Sequence, residues 1–408
     1  MKRTLAFGGL VATAGLLAAG LAAPAQAAGD VATAPLATTG IAADAVASYW
    51  YGNHMANLVN ATPYNVETKV VAKHVSKGGP AADSKPGIVP AIGDEKKTVA
   101  KSKNVNLPKT TGKVFFEDAD GKPHWCTGTS VQSQYKNLVA TAGHCVYDTE
   151  SNAATMKNWV FIPGYYQAKA PWGIYVGKQA FTHYDFDVYE DADRNYAFVT
   201  VYNGLKTPHD GIGDKKDKDG KLIPDWYSVG DYKEVTEQEA KQYADAGYYY
   251  VYAEVKDGKT HYYTWKFEDA GAVGANVGGQ GLAYNQKVGK PVFVFGYPSG
   301  QHPDGNQAYS GQTLKWTYGK TFAVQAPAIK GEELIGTKST FTGEGALGSA
   351  WLVNYNNGRR LGYLNGVTIG VSDTDNNNRY DTSFSPYFDG ELAGVYNAAK
   401  NLWSGSIA

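Results

Sequence analysis

The segment LVATAGHCV, residues 138–146, places a histidine, His144, at the end of an apolar strand. A histidine presented in this way acts as a base that activates a hydroxyl or a thiol. The glycine-rich stretch TGEGALGSAW, residues 342–351, then raises the question of where that hydroxyl is. A second constellation lies in DTDNNNRYD, residues 373–381. Asp373, Asp375, Asn377 and Asp381 fall at alternating positions like those of a calcium loop, but the central glycine and the terminal bidentate glutamate are missing. A calcium site and a plain polar turn both fit, and the turn is preferred. The eight histidines show no close metal-ligand pair.

The elements around these residues read as strands. GKVFFEDADGKPHWCTGTSV is a hairpin pattern that turns at Asp120-Gly121, and NLVATAGHC is the next strand. NWVFIPGYY, WGIYVGKQAF and NYAFVTVYN continue the series, and PVFVFGYP, AWLVNY and LGYLNGVTIGV resume it later. Between them, about 210–268, lies a block of different texture: a charged loop, a helix over TEQEAKQYADAG and a tyrosine-rich hairpin turning at Asp257-Gly258. Thr236 with Glu239 makes a capping box, and Gly247 supplies the stop. The block reads as an insertion. The chain ends on an amphipathic helix: Leu392, Val395, Tyr396, Ala399, Leu402 and Trp403 share one face, and Asp389 caps its start. Many short strands with one terminal helix predict an all-β barrel architecture.

Composition sets the class. The net charge of -1 gives no electrostatic footprint for nucleic acid or an acidic membrane. Residues 1–27 combine a basic start (MKR), an apolar run and the small-residue box Ala25-Gln26-Ala27, the pattern of a cleaved export signal rather than an anchor. No later run is long enough to span a bilayer. Only two cysteines exist, Cys126 and Cys145. In an exported chain that pair reads as a disulfide rather than two buried thiols. It closes a loop of about twenty residues, a constraint worth roughly 3 kcal/mol in the chain-entropy picture. Residues 28–109 are a leader: a short apolar element near 43–60, then a polar, breaker-rich stretch that cannot order itself alone. A propeptide and a flexible linker both fit this leader.

CTGTSV…LVATAGHC resembles the first-barrel signature of chymotrypsin-fold serine peptidases. FIPGY, NYAFVTV, VGGQGLAYNQ, FGYPSG and GALGSAW…LGYLNGV follow in the order seen in bacterial secreted trypsin-like and glutamyl-endopeptidase-like members. The resemblance covers residues 110–408 apart from the insertion. It implies two antiparallel six-stranded β-barrels with the site between them, the Cys126–Cys145 bridge, and a Ser-His-Asp triad served by a backbone oxyanion hole. His144 matches the general base. The carboxylate position falls on Asn195, with Asp193 two residues away as a substitute, although a solvated loop carboxylate is the preferred reading of Asp193. The nucleophile position falls on Leu347, which has no nucleophilic atom. Ser349 lies two residues on, a displacement of roughly 6.5 Å along an extended strand. Gly345 and Leu347 carry the N–H groups of the oxyanion hole.

Three functions are open at this stage. The preferred one is a secreted, non-catalytic pseudoprotease that holds a peptide or protein in the inter-barrel cleft and requires no cofactor. The second is an active secreted serine endopeptidase that uses Ser349 or Asp193. The third is an extracellular structural or surface module that makes its contacts through the tyrosine-rich insertion.

Overall fold

The computed structural model describes residues 30–65, 69–94, 104–149, 155–206, 232–248 and 251–408. The expected export signal, residues 1–27, and the charged loop of the insertion lie outside the described residues.

Six strands form a closed barrel: Tyr175–His183, Ala197–Val201, Leu138–Thr141, Pro123–Val131, Thr111–Glu117 and Lys157–Pro163, in that spatial order. Pairing of Lys157–Pro163 with Tyr175–His183 closes it. The hairpin Thr111–Glu117/Pro123–Val131 is in continuous antiparallel register, and Gly121 at its turn has φ 76°. Inward residues such as Val114, Phe116, Val139, Phe161 and Val199 fill the interior, while Phe198 on the other face packs on Tyr396. The Cys126–Cys145 disulfide is formed within it.

The second half is built from two sheets. One contains Lys315–Lys320, Pro291–Gly296, Ala350–Asn356, Leu361–Val367 and Gly281–Tyr284; the other contains Gly370–Ser372, Thr382–Pro386, Gly331–Lys338 and Phe322–Ala326. Pairing is antiparallel except between Gly281–Tyr284 and Leu361–Val367. The arrangement matches the chymotrypsin-like fold class that the sequence predicts, but the second half is an open half-barrel of two sheets rather than a closed six-stranded barrel.

The described strands of the leader are ordered by pairing with strands of the barrels. Val31–Pro35 adds to Tyr175–His183, Lys73–His74 to Phe322–Ala326, and Gly87–Val89 to Gly281–Tyr284. Between them runs the helix Gly40–Asn60, capped by the Thr39 hydroxyl, which accepts from the Ala42 N–H. Its Trp50 ring packs on Phe115 at 5.5 Å and its indole N–H donates to the Asn158 carbonyl at 2.6 Å. The polar stretch therefore gains from backbone pairing what its composition denies it in apolar burial.

The described part of the insertion is a three-stranded sheet (Tyr232–Val235, Lys259–Trp265, Val251–Lys256) with the helix Glu237–Asp245. The Thr236/Glu239 capping box is formed. Asp257 and Gly258 both take positive φ, 51° and 74°, as a two-residue hairpin turn requires. This unit rests on the leader helix, where the Tyr243 hydroxyl donates to Asp44 at 3.0 Å and Lys233 pairs with the same carboxylate at 3.5 Å.

The terminal helix is shorter than its periodicity suggests. It spans Gly390–Ala399, capped by Asp389. Leu402 and Trp403 lie beyond it and are exposed. The Asn137 side-chain amide donates to the Leu402 carbonyl and the Ser404 hydroxyl, and the Asn203 N–H donates to the Gly405 carbonyl. These bonds hold the tail extended against the first barrel, and the helical face ends where they begin. No helix among the described residues is long and apolar enough to cross a membrane.

Candidate functional site

Strand Leu138–Thr141 runs into a single 3-10 turn, Gly143–Cys145, which fixes His144 beneath the edge of Phe186, with ring centroids 5.2 Å apart. A second 3-10 turn, Ala192–Arg194, ends on Asn195. The Asn195 Oδ1 accepts the backbone N–H of His144 at 3.2 Å, and its Nδ2 lies 2.6 Å from His144 Nδ1. The first contact fixes the amide orientation, because an amide NH₂ turned toward a backbone N–H would set donor against donor. Nδ2 therefore donates to Nδ1, and the neutral imidazole carries its proton on Nε2. A hydroxyl nucleophile needs the opposite tautomer, with Nε2 free to accept its proton. The asparagine thus orients the ring and also selects the wrong form.

Leu347 is fully buried in the main hydrophobic cluster, and its carbonyl accepts the Thr127 N–H at 2.8 Å. The backbone turn around it is made by glycines that no other residue replaces. Gly345 has φ 72°, and a Cβ there would lie 2.1 Å from the Trp125 ring. Gly348 has φ 79°, and a Cβ there would lie 2.0 Å from the Thr127 carbonyl oxygen. Ser349 is also fully buried, and its hydroxyl donates to the Ala346 carbonyl at 2.6 Å. It is the inner residue of a strand start, not a group presented to His144.

Two sequence expectations are corrected here. Gly345 was expected to offer its N–H as an oxyanion donor beside Leu347; instead it donates to the Tyr64 carbonyl of the leader at 3.2 Å. Asp193 was expected on a solvated loop or as a substitute partner for His144. It is 7% exposed and accepts the Glu332 and Glu333 N–H groups, both at 2.9 Å. It ties the first barrel to the strand Gly331–Lys338 of the second.

Burial pushes the Asp193 carboxyl up to about 7, aided by neighbouring Asp191 and opposed by the two backbone donors and Arg194. Arg194 in turn bonds Glu391 at 2.8 Å. A carboxyl raised in the folded state binds more protons there than in the unfolded chain. Stability from this group is therefore full below about pH 4 and is lost as pH rises through about 7, an effect on the order of 2 kcal/mol. Urea unfolding at pH 4.5 and 7.5 is expected to show that loss in the parent chain and a smaller one in Asp193→Asn. The remaining slope comes from Asp389, which burial raises to about 6. Equal slopes in the two proteins would remove Asp193 as the cause.

The DTDNNNRYD stretch is a hydrogen-bonded polar turn. Asp373 accepts the N–H groups of Asn377 and Asn378, and Asp375 accepts the N–H and side-chain amide of Asn377. Asp381 belongs to a separate set with Lys338 and Thr374. The four residues do not converge, and the described residues contain no group of three or more His, Cys, Asp or Glu that could hold a metal ion.

Sequence reasoning missed the leader at this site. The Tyr64 N–H donates to the Trp125 carbonyl at 2.9 Å, and Lys69 pairs with Glu344 at 2.8 Å. Neither residue stands in a motif, and only the charge complement between Lys69 and the glutamate that opens the nucleophile segment was there to be read.

No family model matches the sequence, and no curated protein matches it. Among solved structures the chain is similar to the protease Anisep from Arthrobacter nicotinovorans, with 20% identity over 72% of this chain and 98% of that one and a TM-score of 0.48. It is also similar to a thermostable serine protease, AL20, from an extremophilic microorganism, with 22% identity, 72% and 97% coverage and a TM-score of 0.45. A Glu endopeptidase in complex with MPD is a further similar structure, with 16% identity, 76% and 98% coverage and a TM-score of 0.41.

Proposed function

We propose that this chain is an exported protein of trypsin-like fold that holds an extended peptide or protein segment between its barrels without hydrolysing it. The observation that carries this reading is Leu347: at the position where the motif order expects the nucleophile, a fully buried leucine belongs to the hydrophobic core. Asn195 adds to it by donating to His144 Nδ1, which leaves the imidazole unable to act as base toward a hydroxyl. The displaced-serine alternative loses support because the Ser349 hydroxyl is turned onto Ala346. Export is supported by the disulfide and by the signal-like residues 1–27.

The purified chain is expected to leave casein and a panel of peptides intact and to take no label from a serine-directed phosphonate. Backbone donors and binding alone give about 10³–10⁴ over water, and uncatalysed peptide hydrolysis is so slow that a rate enhanced by this factor stays below detection. Phosphonate labelling that disappears in Ser349→Ala would overturn the reading.

A further inference from the structure

The cleft is already occupied by the chain's own leader. Thr62–Pro63 pairs in parallel with His124 and Trp125 of the first barrel. The next residue, Tyr64, donates its N–H to the Trp125 carbonyl and gives its carbonyl to the Gly345 N–H. Farther on, Lys69 bridges in parallel to Val371, the Val70 N–H donates to the Val371 carbonyl at 3.2 Å, and the Ala72 N–H donates to the Ser372 hydroxyl at 3.0 Å. Lys73–His74 then adds to Phe322–Ala326 of the second barrel. The described parts, 62–65 and 69–75, thus pair with strands of both barrels, and Tyr64 takes a backbone donor of the nucleophile turn.

The segment is held mainly by main-chain bonds. Val71 is 74% exposed, and Lys73 and His74 are exposed as well. Few of its described side chains anchor it: the Thr62 hydroxyl lies 2.9 Å from His124 Nδ1, and the His74 ring packs edge-on against Phe322 at 5.1 Å. Tyr64 is buried edge-on against Phe116 and near His124, with centroids at 5.2 and 5.5 Å, and Lys69 meets Glu344. Main-chain pairing with sparse side-chain anchors is the way a sheet edge receives an added peptide strand. A segment with so little apolar burial also opens at lower free energy than the barrels it crosses.

We propose that residues 62–65 and 69–75 are a displaceable occupant of a peptide groove, whose exchange partner is an extended peptide with an aromatic residue followed five positions later by a lysine or arginine. This rests on the reading of the cleft as a peptide-binding site and adds its regulation: an external peptide enters only as the resident segment leaves. Affinity of the closed chain is then reduced by the small fraction that is open.

The test uses the full chain and a fluorescein-labelled peptide of residues 60–76. Val70→Pro with Ala72→Pro removes two N–H donors of the resident segment and leaves the barrels unchanged. The labelled peptide is expected to bind this variant about thirtyfold more tightly than the parent chain, the size of two lost hydrogen bonds. The same peptide with glutamate in place of the lysine that corresponds to Lys69 is expected to bind at least about fivefold more weakly, since it meets Glu344 with like charge. If the proline variant does not fold, Lys69→Glu, a substitution on a half-exposed side chain, carries the test with an expected gain of about threefold. Equal affinity of parent and folded variant would refute the resident-segment proposal and leave the peptide-binding reading standing. No binding to either would refute both. Hydrolysis of casein by the opened variant would overturn the non-catalytic reading alone.

Discussion

Leu347→Ser is expected to yield a folded but less stable chain that hydrolyses nothing, and only the pair Leu347→Ser/Asn195→Asp is expected to react. The stability loss follows from burial. Leu347 is fully buried in the main hydrophobic cluster, so truncation removes apolar transfer energy and leaves a cavity, together about 3 kcal/mol. A serine hydroxyl placed there also needs a partner, and His144 carries its proton on Nε2 as long as Asn195 donates to Nδ1. The single variant therefore contains a serine and a histidine in the wrong tautomer, which in the serine-protease template costs about 10⁴ in rate.

An aspartate at 195 satisfies the same two neighbours in a different sense. One carboxylate oxygen accepts the His144 backbone N–H as the Asn195 oxygen does now, and the other accepts a hydrogen bond from Nδ1–H, which holds the proton on Nδ1 and frees Nε2 as the base. The double variant is expected to exceed the single by about 10⁴ in the rate of phosphonate labelling. Even so it lacks one oxyanion donor, because the Gly345 N–H is bonded to Tyr64. Opening the leader with Val70→Pro/Ala72→Pro in the same background is expected to add about 10²–10³ in nitrophenyl-ester turnover. A single Leu347→Ser variant that labels as fast as the double would remove the role assigned to Asn195.

The parts of this site that could be read from the sequence are those set locally. The strand ending in TAGHC, the paired cysteines and the turn Asp120-Gly121 depend on neighbours in sequence, and each is present. So are the Thr236/Glu239 box and the Asp257-Gly258 turn. Strands such as Lys315–Lys320, Phe322–Ala326, Gly331–Lys338 and Thr382–Pro386 are hidden in the sequence, since their glycines, lysines and interrupted alternation leave little period-2 signal. The leader was opaque for a deeper reason. Residues 62–65 and 69–75 gain their order from carbonyls and N–H groups of distant strands, and backbone partners leave no trace in side-chain composition. Asp193 was misread in the same way: its partners are the N–H groups of Glu332 and Glu333, 139 and 140 residues away.

Lys113 shows what the leader does to the first barrel, and Lys113→Met is expected to raise stability by about 2 kcal/mol at pH 7. In Thr111–Glu117, Lys113 and Phe115 share one strand face, and alternation assigns that face to solvent, opposite Val114 and Phe116. The leader helix covers it instead: Trp50 packs on Phe115, and both belong to a cluster with Trp125, Tyr165 and Tyr297. Lys113 is consequently 1% exposed. Its ammonium lies 3.3 Å from the centroid of Trp125 and 4.3 Å from that of Tyr165. Burial pushes its pKa well below the ordinary lysine range. The aromatic faces offset part of that cost, since a desolvated cation over an indole gains about 2 kcal/mol, less than a buried charge loses. A methionine keeps the length and the ring contacts and removes the charge. The pH dependence gives an independent check. With the folded pKa depressed, the unfolded chain binds the extra proton, so the parent's stability rises with pH from the folded pKa up to about 10. Lys113→Met is expected to lose that rise while matching the parent's curve shape at lower pH, where Asp193 and Asp389 dominate. A methionine variant less stable than the parent at pH 7, with the alkaline rise intact, would mean that the aromatic box holds the cation with net gain.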